Sequence, residues 1–425
     1  MRELDRVIGY EDIKNELYKL LDIIQNPEKY AALGVTIPKG LLLTGNPGIG
    51  KTLMAKCFIT ESGRKSFVIR KDKPDGAFVD YIRETFEKAA DEAPSIILLD
   101  DMDKFANEDD QHPNAEEYVT VQSCIDDVKD KDVFVIATCN NTRSLPGSLR
   151  RSGRFDKFFA MRFPKSEDAA KILSFYLKTK KVADDIDVEE LARFSEGHSC
   201  ADLESVVNEA GIYAGYENKK LICQEDLIRA CLRKIHHCYE SLNDDSESLR
   251  RIAIHEAGHA VVTELYFPGQ VTFASIEKNP VSGGRVLRHR DENELETFDT
   301  NEFEIMINLA GKAATELMLN EVDMGVNDDL HAAFDYTRAL LDNVASYDFN
   351  SWCHGVETSK HVFDHLDAVT GAEVSRYYLK TKQLLGRNRE FLEAIVEALM
   401  EKKTLSYKDI APIREKYVHE QVKAA

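Results

Sequence analysis

The octapeptide GNPGIGKT, residues 45–52, constrains the fold more than any other stretch of the 425-residue chain. It fits G-x-x-x-x-G-K-[ST] and lies between an apolar run, GLLLT, and a helix-period run, TLMAKCFI. Such a loop works where a buried strand feeds a helix. Gly45, Gly48 and Gly50 let the backbone curl so that its N–H groups converge on an anion. The N-terminus of the following helix faces the same anion. Lys51 then reaches the terminal phosphates of a nucleotide, and the Thr52 hydroxyl is a magnesium ligand.

Three more apolar runs, SFVIR (66–70), SIILLDD (95–101) and DVFVIATC (132–139), alternate with helix-period segments up to about residue 163. Short continuous apolar runs between helices predict a parallel sheet covered on both faces, an α/β P-loop domain. Asp100 and Asp101 end the third run. Asp100 is placed to hold magnesium and Asp101 to polarise the attacking water. Asn140, after the fourth run, falls beside the terminal phosphate. In LRRSGRFD, Arg151 and Arg154 are planar, permanent cations suited to a transferring phosphoryl group. Nothing folds them back onto their own site, so they read as fingers acting on a neighbouring subunit.

Residues 165–238 read as helices without a strand; ADLESVVNEAGIYA has apolar positions 203, 206, 207 and 210 on one face. The polar, acidic YESLNDDSES (239–248) reads as a linker. The remainder is mostly helical, with a strand-and-turn region at 271–290. The expected division is 1–164, an α/β subdomain; 165–238, an all-α lid; 239–248, a linker; and 249–420, a mainly helical second domain.

That second domain opens on RIAIHEAGHAVV, residues 251–262. A spacing of four puts His255 and His259 on one helix face, where both can reach one zinc ion. Glu256, beside the first ligand, can take a proton from the water that such an ion polarises. For the third ligand, pattern leaves Glu316, in AGKAATELML, and Asp329, in GVNDDLHAAF, both open. A second cluster, KIHHCYE, contains His236, His237 and Cys238; it ends a helical segment, where cationic side chains are favoured without a metal.

The 55 basic and 75 acidic residues give a net charge of −20, which repels nucleic acid and anionic lipid. No apolar run approaches the roughly 20 residues of a membrane span. The eight cysteines form no C-x-x-C pair, which fits a reducing, cytoplasmic compartment.

The motifs, in this order over residues 5–415, resemble the FtsH-type AAA+ zinc metalloproteases. The resemblance runs from DRVIGYEDIKNELYKLL through GNPGIGKT, LRRSGRFD, GHSCADLESVVNEA, AIHEAGHAVV and GVNDDLHAA to NREFLEAIVEALMEKKTL. It implies a P-loop domain, a helical lid and a helical protease domain in a hexameric ring. It implies ATP, Mg2+ and Zn2+ as cofactors and proteins or peptides as substrates. Gly45, Asn46, Pro47, Gly48, Ile49, Gly50, Lys51, Thr52 and Leu53 match the nucleotide loop, Ile8 and Gly9 the adenine side, and Gly197 and Ala201 the lid contact. Asp329, in the N-D pair, matches the third zinc ligand and displaces Glu316. There are three departures. Family members usually carry amino-terminal transmembrane helices, whereas this chain starts at the nucleotide domain, so the resemblance does not carry membrane anchoring over to it. The family's Asp-Glu pair is Asp100–Asp101 here. Its aromatic–hydrophobic–glycine pore loop aligns with Pro74-Asp75-Gly76, where no aromatic stands; Phe78, two residues on, is either its substitute or a packing residue at the start of the next helix.

The expected activity is ATP-driven unfolding and threading of proteins towards an enclosed zinc endopeptidase site. The alternatives are a zinc peptidase whose ATPase half is weak or structural, an unfoldase with a silent zinc site, and a ring scaffold without enzymatic activity.

Overall fold

The computed structural model describes residues 2–72, 74–106, 115–151, 153–239, 246–278, 283–290, 294–321, 324–344 and 360–418. The chain divides into two compact units, Met1–Ala230 and Cys231–Ala425. Residues 240–245 of the segment read as a linker lie outside the described residues.

In the first unit five strands, β1 (Gly40–Thr44), β2 (Lys65–Ile69), β3 (Ser95–Leu99), β4 (Val133–Cys139) and β5 (Lys157–Ala160), form a parallel sheet in the order β2-β3-β4-β1-β5. The side-chain period of two sends alternate residues to opposite faces. Leu41, Leu43, Ile96, Leu98, Phe134 and Ile136 pack on helices Glu11–Gln25 and Lys51–Ser62. Leu42, Ile97, Leu99, Val133, Val135 and Ala137 pack with Phe78, Ile82, Phe86, Tyr118 and Val121 from helices Asp75–Asp91 and Glu116–Asp127. Covering both faces explains why these strands read as continuous apolar runs. Strand β5 was not expected. It is a four-residue edge with alternating half-exposed residues, too short and too mixed to signal itself. Four helices follow, Ser166–Leu177, Val188–Phe194, Cys200–Tyr216 and Gln224–Lys234. Leu203, Val206, Val207 and Ala210 are all buried, the face that the sequence spacing marked.

The second unit is helical around helix Ser246–Tyr266. That helix packs on Phe298–Leu319 and on Arg389–Lys402, and Phe298–Leu319 also packs on Asn327–Val344 and Lys360–Arg387. A small antiparallel sheet has the order β7-β6-β8, from β6 (Val271–Ser275), β7 (Arg285–Arg288) and β8 (Thr404–Ser406). The first two realise the strand-and-turn region; β8 comes from about 130 residues further along the sequence and had no local signal.

Of the two readings of Phe78, pore aromatic and packing residue, the structure bears out the second. Strand β2 ends at Ile69 and the next helix begins at Asp75, so the aligned pore residues are the first helical turn. Phe78 is 0% exposed, and its ring meets Phe105 edge-on with centroids 5.0 Å apart. A phenyl ring gains more by filling this core than by facing water.

Candidate functional site

Two sites were expected, one in each unit. In the first unit the P-loop joins β1 to helix Lys51–Ser62, and Gly48 (φ +77°) gives its turn. A Cβ on Gly48 would lie 2.7 Å from Ser199 Oγ, so only glycine allows the loop this close to helix Cys200–Tyr216. Ala201 N–H donates to Gly48 O at 3.2 Å across the same contact. The Lys51 ammonium, nearly buried, donates to Gly45 O at 2.8 Å and Asn46 O at 2.7 Å. Burial pushes its pKa down, opposed by Asp101 and Asp103.

A cavity of about 460 Å³ opens over this loop. Its wall includes Ile8, Pro47, Gly48, Ile49, Gly50, Lys51, Thr52, Leu53, Asp101, Asn140 and Ala201. Its volume and its loop of N–H groups under a helix N-terminus fit a nucleoside triphosphate. Gly45 and Asn46 hold Lys51 from behind that wall. Gly9 and Gly197 have positive φ and are outside it; a Cβ on Gly9 would strike Asp168. Asp100, 1% exposed, lies one layer deeper. It accepts from Thr52 Oγ1 at 2.8 Å and Thr138 Oγ1 at 2.9 Å, and it pairs with Arg70. Burial alone would raise its pKa, but the Arg70 guanidinium and the two hydroxyls hold it below the usual range. Thr52 and Asp100 thus share a contact where a magnesium ion would need oxygen donors.

Sequence reading missed several members of this site. Asp103 Oδ1 accepts from Asn140 N at 3.0 Å, with Asn140 Nδ2 3.4 Å from Asp103 Oδ2. Lys104 Nζ is 2.8 Å from Asp101 Oδ2, and both side chains line the cavity. Phe175 and Tyr176 close it from helix Ser166–Leu177. The spacing Asp101-x-Asp103-Lys104 was visible, but only folding of the turn aims Asp101 and Lys104 at the cavity and Asp103 at Asn140. Arg151 and Arg154 are not in its wall. Arg151 is exposed, and Arg154 is tied to Asp126 at 2.7 Å and Ser148 O at 2.8 Å.

In the second unit His255 and His259 occupy successive turns of one helix, with Nε2 atoms 3.0 Å apart. Asp329, in the first turn of helix Asn327–Val344, brings Oδ2 to 3.1 Å and 3.3 Å from them. The three donor atoms lie within 4.8 Å of one another, the one such metal-holding group among the described residues. Asp329 Oδ2 is buried without a well-formed hydrogen bond, as befits an atom directed at a cation. His259 Nδ1 is 2.7 Å from Ile307 O; a carbonyl only accepts, so Nδ1 donates its proton there and Nε2 is the nitrogen left to face a metal once it is deprotonated. A Cβ on Gly311 would lie 2.4 Å from His255 Cε1 and 2.5 Å from His259 Nε2, so the imidazoles need glycine there. Zinc fits this two-histidine, one-carboxylate set.

Burial works against a charged His259, yet Asp329 and Glu256 hold its pKa up at about 9. Burial pushes the Glu256 carboxyl above its ordinary range, against the pull of the two histidines. Glu316 is engaged elsewhere. Lys382 at 2.7 Å and Tyr378 hold its pKa down to about 2. In the other histidine cluster, His236 is buried with its ring centroid 4.8 Å from that of Phe273.

Comparison with known families agrees with both halves. Residues 41–163 match the ATPase family associated with various cellular activities, 185–229 the AAA+ lid domain, and 243–413 peptidase family M41. The fold and its sites therefore define a AAA nucleotide-binding module with its lid joined to an M41 peptidase module. Among its relatives are proteins named ATP-dependent zinc metalloprotease FtsH. The one from Aster yellows witches'-broom phytoplasma is 31% identical over 96% of this chain and 63% of its own length. The one from Helicobacter pylori strain J99 is 30% identical over 96% of this chain and 70% of its own. That from Sulfurovum sp. is 34% identical over 81% and 53%. The chain belongs to the FtsH family. It spans somewhat under two thirds of the phytoplasma relatives it matches, 63% and 62%. No helix among the described residues is long and apolar enough to cross a membrane.

Proposed function

We propose that the chain is an ATP-dependent zinc metalloendopeptidase that unfolds and threads proteins into a peptidase site. The observation that carries this is the convergence of His255, His259 and Asp329 beside a buried Glu256, in a chain that also has a P-loop cavity. His255 and His259 Nε2 and Asp329 Oδ2 would hold zinc. When bound, zinc supplies Lewis acidity towards a water and the scissile carbonyl. Glu256 takes the proton from the water as its oxygen adds to the carbonyl carbon, then hands it to the departing amine nitrogen. Burial suits Glu256 to this work by raising its proton affinity above that of an ordinary carboxylate.

In the other unit Gly45 to Leu53 cradle the phosphates, with Ile8 and Gly9 on the base side and Gly197 and Ala201 at the lid. Thr52 and Asp100 face magnesium, Asp101 orients the water, and Asn140, steadied by Asp103, reads the terminal phosphate. Arg151 and Arg154 act on the next subunit of a homohexamer; this is supported by their position outside their own cavity. The boundaries 1–164, 165–238, 239–248 and 249–420 and a cytoplasmic setting belong to the same reading. Free thiols at Cys57, Cys124, Cys139, Cys200, Cys223, Cys231 and Cys238 support the latter.

The second reading, a zinc peptidase whose nucleotide half is weak or structural, is favoured by one observation. Phe78 is consumed by the core, and the short connection before helix Asp75–Asp91 offers no aromatic grip. Degradation of a loosely folded protein, with ATP and without, separates the two, with Glu256→Gln as the blank. ATP-dependent cleavage supports the coupled machine; cleavage indifferent to ATP supports the second reading. Glu256→Gln cleaving like the parent would overturn both.

A further inference from the structure

Lys104 has no part in the assignments above, yet it lies in the wall of the nucleotide cavity. It ends a single 3-10 turn, Met102–Lys104, that starts immediately after the left-handed Asp101 (φ 55°, ψ 51°). Lys104 N–H donates to Asp101 O at 2.9 Å, which closes the turn. The turn brings the ammonium back over its own start, 2.8 Å from Asp101 Oδ2. Met102, between them in sequence, is fully buried and anchors the turn. The position of Lys104 is therefore fixed by the core, while its side chain is 64% exposed.

We propose that Lys104 is a further phosphate-contacting residue that distinguishes a nucleoside triphosphate from a diphosphate. This rests on the nucleotide reading of the cavity. The other cations in the cavity wall are Lys51, beneath the loop, and Arg6, beside Val7 and Ile8 at the base end. Arg70 is taken up by Asp100 and Arg154 by Asp126. Lys104 is thus the exposed cation on the side of Asp101 and Asn140, where a γ-phosphate would arrive. An exposed lysine–carboxylate pair is weak. A triphosphate offers a denser cluster of charge and several acceptor oxygens to the same three N–H donors. Its γ-phosphate draws the ammonium off Asp101 and leaves that carboxylate open to orient water. A diphosphate does not reach the ammonium, and the Lys104–Asp101 pair persists. Arrival of the third phosphate and release of the water-orienting group become one event.

The test is equilibrium binding of β,γ-imido ATP and of ADP, each with magnesium, to the full chain and its Lys104→Met, Lys104→Arg and Lys51→Ala variants. Lys104→Met should weaken the triphosphate analogue about tenfold or more and ADP less than about twofold, the loss of one charge-assisted hydrogen bond. Lys104→Arg should keep most of the discrimination, and melting of the Lys104 variants should match the parent. Equal losses for both nucleotides, or no loss, would overturn the role of Lys104 while Lys51→Ala still abolishes binding. A Lys51→Ala chain that binds like the parent would overturn the nucleotide reading beneath it.

Discussion

The nucleotide cleft and the metal centre both sit at the ends or on the faces of regular elements, yet they gather their groups over very different lengths of chain. The phosphate loop is one contiguous run, residues 45–53, and its glycines already dictate the curl. The metal centre takes two ligands from one helix and a third from 70 residues beyond His259. A third helix adds the Ile307 carbonyl and the space at Gly311. A site written in consecutive residues depends on its own backbone. One assembled across helices depends on how closely they pack.

The sharpest break to this comparison lies at Glu256. Glu256→Gln removes the proton carrier and keeps the ligands. Peptide cleavage should fall by about 10²–10⁴, with zinc content by mass spectrometry unchanged. Loss of zinc together with activity would mean that Glu256 works through the fold of the site. Next comes Phe78→Ala, which should destabilise the nucleotide unit by about 3–5 kcal/mol in denaturant unfolding. An unchanged midpoint with lost degradation would restore Phe78 to the pore.

Gly311→Ala tests dependence on helix packing directly. A methyl group there must push both imidazoles, so zinc affinity should drop about 10–100-fold, the scale of defects behind a ligand. Nucleotide binding should stay as in the parent. The smallest effect concerns protons. Without metal, His259 keeps its proton up to a pH of about 9, held by Asp329 against burial. Zinc needs the neutral imidazole, so its affinity should rise with pH until about 9 and level beyond it. Calorimetry in two buffers of different ionisation heat at pH 7 should register release of roughly one proton per zinc. No release would mean that the metal-free histidines are already neutral.

Much of this was legible in the sequence because it is periodic or contiguous. Doubly covered strands read as apolar runs, and the i, i+4 spacing put His255 and His259 on one face. The third ligand was not legible from pattern. Glu316 and Asp329 are both acids on amphipathic helices, and resemblance to a family selected Asp329. The structure gives the reason: Glu316 lies among Lys382, Tyr378 and Lys312, away from the imidazoles. Gly311 left a faint signal, since glycine inside a helix is costly unless something must approach closely. Ile307 left none, because it contributes a backbone carbonyl that any residue carries.

The sequence by itself determined the phosphate loop, the central strands and the paired histidines, since each follows from backbone geometry over a few neighbouring residues. Only the tertiary structure decided that Phe78 fills the core, that Asp103 steadies Asn140 and that Lys104 turns back onto Asp101. Each of these depends on where a side chain comes to rest after burial and turn closure have been settled, and that position is a property of the packed chain rather than of the local run of residues.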